Sequence, residues 1–242
     1  MSTIDKAIDV LFELNASSGL MRLSELSESL QMPRSSVHRI LATLANRGLV
    51  EQDSSGGYRT GYALMALGLG AAARDPLAAI SKPLLEASAK NLGETFFLVA
   101  PRAGQLVVVE KAEGNGFVRA APSLGSTVPH HATAVGKLFL AFDSHFQAAE
   151  LKPYTKATIR SRKKLKDAIE QVRAIGWASN LEEWQPGLSV VAAPVLTEQG
   201  IVGAVALAMV TARMEAIGIK VAVRHVRHAA EGLTLRIEGQ AP

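Results

Sequence analysis

The residues best suited to chemistry in this sequence lie between positions 33 and 47, and their types favour contact with nucleic acid. Apolar residues at helical spacing predict a helix with one buried face, formed by Val37, Ile40, Leu41 and Leu44. The remaining positions carry mainly basic and polar side chains, namely Arg34, Ser35, Ser36, His38, Arg39, Ala42, Thr43 and Asn46. Arg can donate two hydrogen bonds to guanine, and Ser or Thr can reach phosphates and base edges.

The charge pattern around this helix supports the same interpretation. No Asp or Glu occurs between Glu28 and Glu51, so no carboxylate would repel a phosphate there. A solvated face of an ordinary three-helix domain remains the alternative, because residues 1–60 contain six Lys or Arg and seven Asp or Glu. We expect the DNA contacts to come from Arg34, Ser35, Ser36, His38, Arg39, Thr43 and, on a following hairpin, Arg59.

The elements around this helix predict a winged helix-turn-helix over residues 1–60. One amphipathic helix covers residues 4–14, and a second starts after Ser24 as its N-cap. Pro33 suits the first turn of the third helix, because proline lacks the N–H that would be unpaired there. Residues 49–59 then predict a hairpin with a glycine-rich tip. The small-residue segment 61–75 predicts a connector helix.

Residues 76–242 predict an α+β domain built on an antiparallel sheet. A helix over 77–92 is followed by the apolar, strand-like runs ETFFLVAP, QLVVVEKA and GFVRAAP. A helix beginning near Ala132 and a basic amphipathic helix over 161–175 come next. The runs SVVAAPVL and IVGAVALAMV predict a second hairpin, and a long helix over 213–238 ends the chain.

Composition and motifs argue against an enzyme, a metalloprotein or a membrane protein. The chain has 242 residues and no cysteine, which excludes disulfides, thiolate zinc sites and cysteine nucleophiles. Gly136-Lys137 is followed by Leu138 and so is not a phosphate-binding loop. The histidine pairs 130–131 and 225–228 lack a third ligand at suitable spacing. We expect no catalytic residues, metal or cofactor.

The apolar runs are too short to span a bilayer, and acids interrupt the N-terminal one. We therefore expect a cytoplasmic protein with no membrane partner. The net charge of +4 permits an anionic partner without demonstrating one. The basic run RSRKKLK at residues 160–166 is better explained as the solvated face of a helix than as a nucleic-acid site.

The order and spacing of the motifs resemble the IclR family of bacterial transcriptional regulators along nearly the whole chain. The matching segments are IDKAIDVLFEL, LSELSESL, PRSSVHRILATLANRGLVEQ, YRTGYALMALG, PHHATAVGKLFLA and GWASNLEEWQPGLSVVAAPV. The resemblance implies a GAF-like effector-binding domain over residues 76–242. It also implies assembly into a dimer or a dimer of dimers. Such an assembly would bind a palindromic double-stranded operator.

The resemblance also indicates where an effector would bind. The start of a helix at Ala132, Thr133, Ala134 and Val135 would favour a carboxylate, although small residues there could equally serve close packing. His130 stands where the family usually has an aliphatic residue. An ungapped alignment places Asn180, Val190, Leu207 and Met209 where the family has an aspartate, a cysteine and two serines.

Three of those four replacements are apolar, which argues against a very small polar acid. We therefore expect a regulator of a catabolic operon that responds to a larger, partly apolar carboxylic acid, with aromatic acids among the candidates. The alternative is a small-molecule-binding protein or hydrolase whose first sixty residues mediate interaction rather than DNA binding.

Overall fold

A computed structural model describes residues 2–116, 122–148 and 150–239 of the chain. The chain divides into two compact units, Met1–Arg74 and Asp75–Pro242. The expected strand GFVRAAP, at 116–122, lies mostly outside the described residues. Each unit has its own hydrophobic core.

The first unit contains three helices, a hairpin and a fourth helix. The helices are α1 (Thr3–Ala16), α2 (Leu23–Ser29), α3 (Arg34–Ala45) and α4 (Tyr62–Ala72), and the hairpin is β1 (Val50–Gln52) with β2 (Tyr58–Thr60). The four apolar residues expected to be buried on α3 are all buried, and they pack with Val10, Leu14 and Leu26. The predicted winged helix-turn-helix is confirmed.

Two helix starts in this unit differ from expectation, one by two residues and the other by one. Helix α2 begins at Leu23, with Arg22 rather than Ser24 at the N-cap. The reason is that Glu25 accepts the backbone N–H of Arg22 at 2.6 Å, which stabilises a first turn that starts two residues earlier. Pro33 occupies the N-cap of α3 rather than its first turn.

The hairpin, or wing, is held at both ends by local contacts. At its tip the carboxylate of Asp53 accepts hydrogen bonds from the side chain of Ser55 and from the backbone of Ser55 and Gly57, and these bonds lower the pKa of Asp53. At its base Gly61 approaches the chain so closely that a Cβ would lie 2.2 Å from the carbonyl oxygen of Gly48. Glycine is therefore required where the wing meets α4.

The second unit contains a five-stranded antiparallel sheet in the order β4-β3-β7-β6-β5. Its strands are β3 (Thr95–Arg102), β4 (Gln105–Ala112), β5 (Ala178–Leu181), β6 (Leu188–Thr197) and β7 (Gly200–Val210). Helices α6 (Ala134–Phe142) and α7 (Arg162–Ile175) cover one face. Helices α5 (Pro76–Leu92), α8 (Thr211–Ile217) and α9 (Ile219–Ile237) cover the other. The predicted α+β class is confirmed.

Three features of this unit depart from the sequence-based expectation. The helix expected over 213–238 is broken at Gly218, whose φ of 81° separates α8 from α9. The helix expected near Ala132 begins at Ala134, because Thr133 is its N-cap. Strand β5 was not predicted, since four residues carry little periodicity.

Among the described helices, none alone is long and apolar enough to cross a bilayer. Helices α4 and α5 reach that threshold only when their sequences are taken together.

Candidate functional site

Helix α3 places nearly all the predicted DNA-contacting residues on one exposed surface. The side chains of Arg34, Ser35, His38, Arg39 and Thr43 are exposed, and Ser36 is half-buried. No acid lies in the first turn of the helix, so its positive end faces no competing carboxylate. This surface, which we call the α3 face, therefore combines basic and polar groups on a rigid element.

Two of the predicted contacts are already engaged within the protein. The hydroxyl of Thr43 donates to the carbonyl of Arg39 at 2.9 Å, which leaves its oxygen free to accept. On the wing, Nε and Nη2 of Arg59 donate to Oε2 of Glu51 at 3.2 and 3.1 Å. Because this pair is exposed to solvent, its contribution is small, and a phosphate could compete for the guanidinium.

Glu51 also links the wing to α4. Its Oε1 accepts the backbone N–H of Tyr62, the first residue of that helix, at 3.2 Å. Gly61, the N-cap residue, has no side chain with which to cap the helix. The wing and the connector helix are therefore joined by one carboxylate that contacts both.

The second unit has an open cleft of about 490 Å³ beside the start of α6. It is lined by Gln105, Thr127, Val128, Pro129, His130, His131, Gln147, Ala148, Glu150, Lys152, Tyr154 and Trp184. Of the residues predicted to bind an effector, His130 lies at this cleft. We call it the α6 cleft.

The two histidines attach the segment after α6 to the loop before it. Nδ1 of His130 donates to the carbonyl of Gln147 at 3.0 Å, and Nε2 of His131 donates to the carbonyl of Lys152 at 2.9 Å. A carbonyl can only accept, so these contacts fix which ring nitrogen carries a proton. The histidines thus shape the cleft wall.

The small residues at the start of α6 are buried in the core and do not line this cleft. Ala132, Thr133, Ala134 and Val135 are all buried. The Thr133 hydroxyl donates to the carbonyl of Pro129 at 2.6 Å and accepts the N–H of Gly136 at 3.0 Å.

A Cβ on Gly136 would lie 2.2 Å from the carbonyl oxygen of His130. The geometry supports the alternative that small residues permit close packing here.

The strand residues expected in the pocket divide between the two faces of the sheet. Val190 packs on the α6 face, and Asn180 is its direct partner on β5. Leu207 and Met209 instead pack on the opposite face against α5 and α9, so they do not share a surface with the start of α6.

The ungapped alignment is the source of that error, because a one-residue shift in a strand exchanges its faces. The tight β6–β7 hairpin, in which Thr197 pairs with Gly200, brings Ala206 and Ala208 to the α6 face instead.

A buried ion pair on the α6 face was not predicted from the sequence. Nζ of Lys137 lies 2.6 Å from Oε1 of Glu183, and both side chains are largely buried. The hydroxyls of Thr155 and Thr158 donate to the backbone carbonyls of Glu182 and Glu183 and hold that turn. The signal in the sequence was a single lysine inside the otherwise apolar helix AVGKLFLAF.

Within the described ranges, no group of three or more His, Asp or Glu side chains could hold a metal ion. His225 lies partly buried on α9, where burial and the charges of Arg224 and His228 lower its pKa.

Two family models cover most of the chain. The model described as Bacterial transcriptional regulator IclR C-terminal matches residues 70–235. The IclR helix-turn-helix domain matches residues 3–54. The HTH-type transcriptional regulator BhcR of Paracoccus denitrificans is 31% identical over 204 residues, which cover 81% of this chain and 73% of that protein.

Solved structures agree with this assignment. An IclR transcriptional regulator from Alicyclobacillus acidocaldarius is 27% identical, with a TM-score of 0.82 over 96% of this chain and 97% of that one. An IclR homologue from Microbacterium hydrocarbonoxydans, solved with 4-hydroxybenzoate, shares the fold at 18% identity, with a TM-score of 0.81 over 98% of this chain and 100% of that one.

These matches describe regulators, so the protein is a DNA-binding regulator and not a hydrolase or other enzyme. The chain belongs to the IclR family of bacterial transcriptional regulators.

Proposed function

We propose that this protein controls a catabolic operon in response to a small, partly apolar carboxylic acid. It acts in the cytoplasm on a palindromic double-stranded operator, as a homodimer or a dimer of two dimers. The α3 face carries this proposal, because a rigid, acid-free surface with Arg34 and Arg39 is suited to the major groove.

Operator binding can be tested directly with fragments of genomic DNA. Fragments from upstream of the neighbouring genes should be retained by the immobilised protein at low salt, and a candidate acid should change that retention. If no fragment is retained with or without acids, the proposed function is wrong.

Arg39→Ala should weaken operator binding by about 1–3 kcal/mol per half-site if the guanidinium contacts a base edge. Fluorescence anisotropy with the operator and with unrelated DNA at several salt concentrations would measure this. A loss confined to the operator indicates a base contact. An equal loss on both DNAs, with a shallower salt dependence, indicates a phosphate contact.

Arg74→Ala is the matched control, because it removes the same charge at an exposed position outside the α3 face. An Arg39 variant that binds DNA like the wild type at every salt concentration would contradict both the base contact and the phosphate contact.

The proposed dimer rests on an exposed apolar surface in the first unit. Helix α4 has no buried residue among its eleven, all of which are described. A groove of about 660 Å³ between α1 and α4 is lined in part by Ile8, Leu11, Phe12, Tyr62, Leu64 and Met65. Large exposed apolar patches mark interaction sites.

We propose that a second copy of the chain occupies this groove. One winged module contacts few base pairs. A two-fold symmetric pair of modules contacts twice as many and requires a palindromic operator.

The α6 cleft supports an acid effector through its mixture of groups. Lys152 provides a cation at the opening, while Val128, Tyr154 and Trp184 provide apolar and aromatic surface. A carboxylate can interact with the lysine, and an apolar body can lie against the aromatic rings. The Microbacterium homologue that binds 4-hydroxybenzoate supports an aromatic acid as one candidate.

Benzoate should therefore raise the melting temperature more than glyoxylate or pyruvate at equal concentration. Burying a ring of that size contributes about 2–3 kcal/mol, whereas a two-carbon acid has almost no apolar area to bury. Differential scanning fluorimetry on the full chain would measure the shifts. Equal shifts for glyoxylate and for every larger acid would contradict the proposal of a partly apolar site.

A further inference from the structure

The two units differ in the net charge that they carry. The unit Met1–Arg74 contains seven Lys or Arg and seven Asp or Glu, so its net charge is zero although it carries the α3 face. The net charge of +4 therefore lies in the second unit. Cations that neutralise phosphates supply essentially all of the sequence-independent affinity of a protein for DNA. A neutral recognition unit leaves room for a second unit to supply that affinity.

The cations of the second unit are concentrated between residues 156 and 166. Six of its nineteen Lys and Arg lie in these eleven positions, and no Asp or Glu accompanies them. Arg162, one of the six, donates from Nη1 to the carbonyl of Ala148 at 2.8 Å. The other five are exposed, and we call them the α7 basic patch: Lys156, Arg160, Lys163, Lys164 and Lys166.

Most of this positive charge has no counter-charge within the protein. Lys166 lies 3.9 Å from Oε1 of Glu170, and both side chains are exposed, so this pair is weak. Among the described residues, Lys156, Lys163 and Lys164 form no ion pair with a carboxylate. The patch is therefore available to an anion from outside the chain.

The loop before α7 is held in place by two threonines. Thr158 is buried, and its Oγ1 accepts the backbone N–H of Thr155 at 2.8 Å and donates to the carbonyl of Glu183 at 2.6 Å. The hydroxyl of Thr155 donates to the carbonyl of Glu182 at 2.7 Å. The two patch residues of this loop lie on either side of Thr158, so their backbone is fixed. A fixed set of cations loses less entropy on binding an anion than a flexible tail does.

The start of α7 carries cations where they destabilise the folded chain. Lys163 and Lys164 lie in its first turn, which has no acid. The positive end of the helix dipole lies there, so the dipole repels both lysines. A solvated helix face, which the sequence alone favours, explains why these lysines are exposed but not why they lie at this end. An anionic partner explains both, because it compensates the lysines and the dipole together.

We propose that the α7 basic patch binds the phosphate backbone of DNA without regard to base sequence, while the α3 face reads the operator. DNA is the polyanion that a regulator of this family binds, and lysine contacts phosphates as a point charge. The second unit thus adds to the strength of DNA binding, and the winged module provides its specificity. The inference goes beyond the proposed function, because it needs neither the acid effector nor a particular operon.

Fluorescence anisotropy of the full chain with a labelled mixed-sequence duplex, at several salt concentrations, tests the inference. The triple variant Lys156→Gln, Lys163→Gln, Lys164→Gln should bind roughly tenfold to a hundredfold more weakly at low salt, because each chain loses three phosphate contacts. Its plot of log affinity against log salt should be shallower by about two to three per chain. Its melting temperature should stay the same or rise, because two cations leave the positive end of α7.

The matched control is the triple variant Lys82→Gln, Lys90→Gln, Lys220→Gln. It removes the same charge from exposed positions on α5 and α9, which cover the other face of the sheet. This control should keep the affinity and the salt dependence of the wild type.

Lys156→Gln alone lies outside the helix and remains informative if the triple variant of the patch folds poorly. It should make the plot of log affinity against log salt shallower by about one.

The outcomes separate this inference from the proposed function. Equal losses in the two triple variants would overturn the inference, because net charge alone would account for them. An unchanged salt dependence in the patch variants would also overturn it, and an acidic protein surface would then be the class of partner that fits the patch. Patch-dependent binding of mixed-sequence DNA by a protein that prefers none of the genomic fragments would support the inference and contradict the proposed function.

Discussion

Phe12→Ala should prevent formation of the proposed dimer at micromolar concentration. The Phe12 ring is 69% exposed on α1 and lines the groove against α4, so in the chain alone most of its apolar surface faces water. Burying a phenylalanine contributes about 1.5–3 kcal/mol, and a two-fold interface counts each residue twice. We therefore expect association to weaken by about 3–6 kcal/mol, which is roughly a hundredfold or more in Kd.

Sedimentation equilibrium on the full chain would measure the change. Circular dichroism should show unchanged helix content, because the core of the first unit does not depend on an exposed ring. Leu124→Ala, at an exposed apolar residue of the second unit, is the control and should remain dimeric. A Phe12 variant with the wild-type dissociation constant would exclude this groove as the dimer interface.

The fold of the DNA-binding unit could be predicted almost completely from the sequence, because residues close together in the sequence determine its helices and hairpin. Four apolar residues at helical spacing fix which side of α3 is buried, and the exposed side follows from that choice alone. The errors at Ser24 and Pro33 were shifts of two residues and one residue at helix ends, where competing caps decide the boundary.

The effector end was less predictable because its geometry depends on strand register. Leu207 and Met209 were assigned to the wrong face of the sheet because the alignment was shifted by one residue. The same shift in a helix turns a side chain only partway around the helix axis, whereas in a strand it moves the side chain to the opposite face. Nothing in the spacing of Lys137 and Glu183, which are 46 positions apart, indicates that they meet. Contacts of that kind are set by the packing of α6 on the sheet.

The Lys137–Glu183 pair should be essential to the stability of the second unit, because both side chains are largely buried. Lys137→Met removes the counter-charge of a carboxylate that lies largely out of water, and such a change costs about 3–5 kcal/mol. Both tryptophans of the chain, Trp177 and Trp184, lie in the second unit, so urea denaturation followed by their fluorescence reports on that unit.

A double-mutant cycle separates the ion pair from the packing of the lysine stem. The double variant Lys137→Met with Glu183→Gln should lose less unfolding free energy than the sum of the two single-variant losses. The reason is that it leaves no buried charge without a partner. If the two losses simply add, the pair has no coupling energy, and Lys137 contributes through its aliphatic stem alone. If Lys137→Met alone loses less than about 1 kcal/mol, the carboxylate is solvated well enough to need no counter-charge.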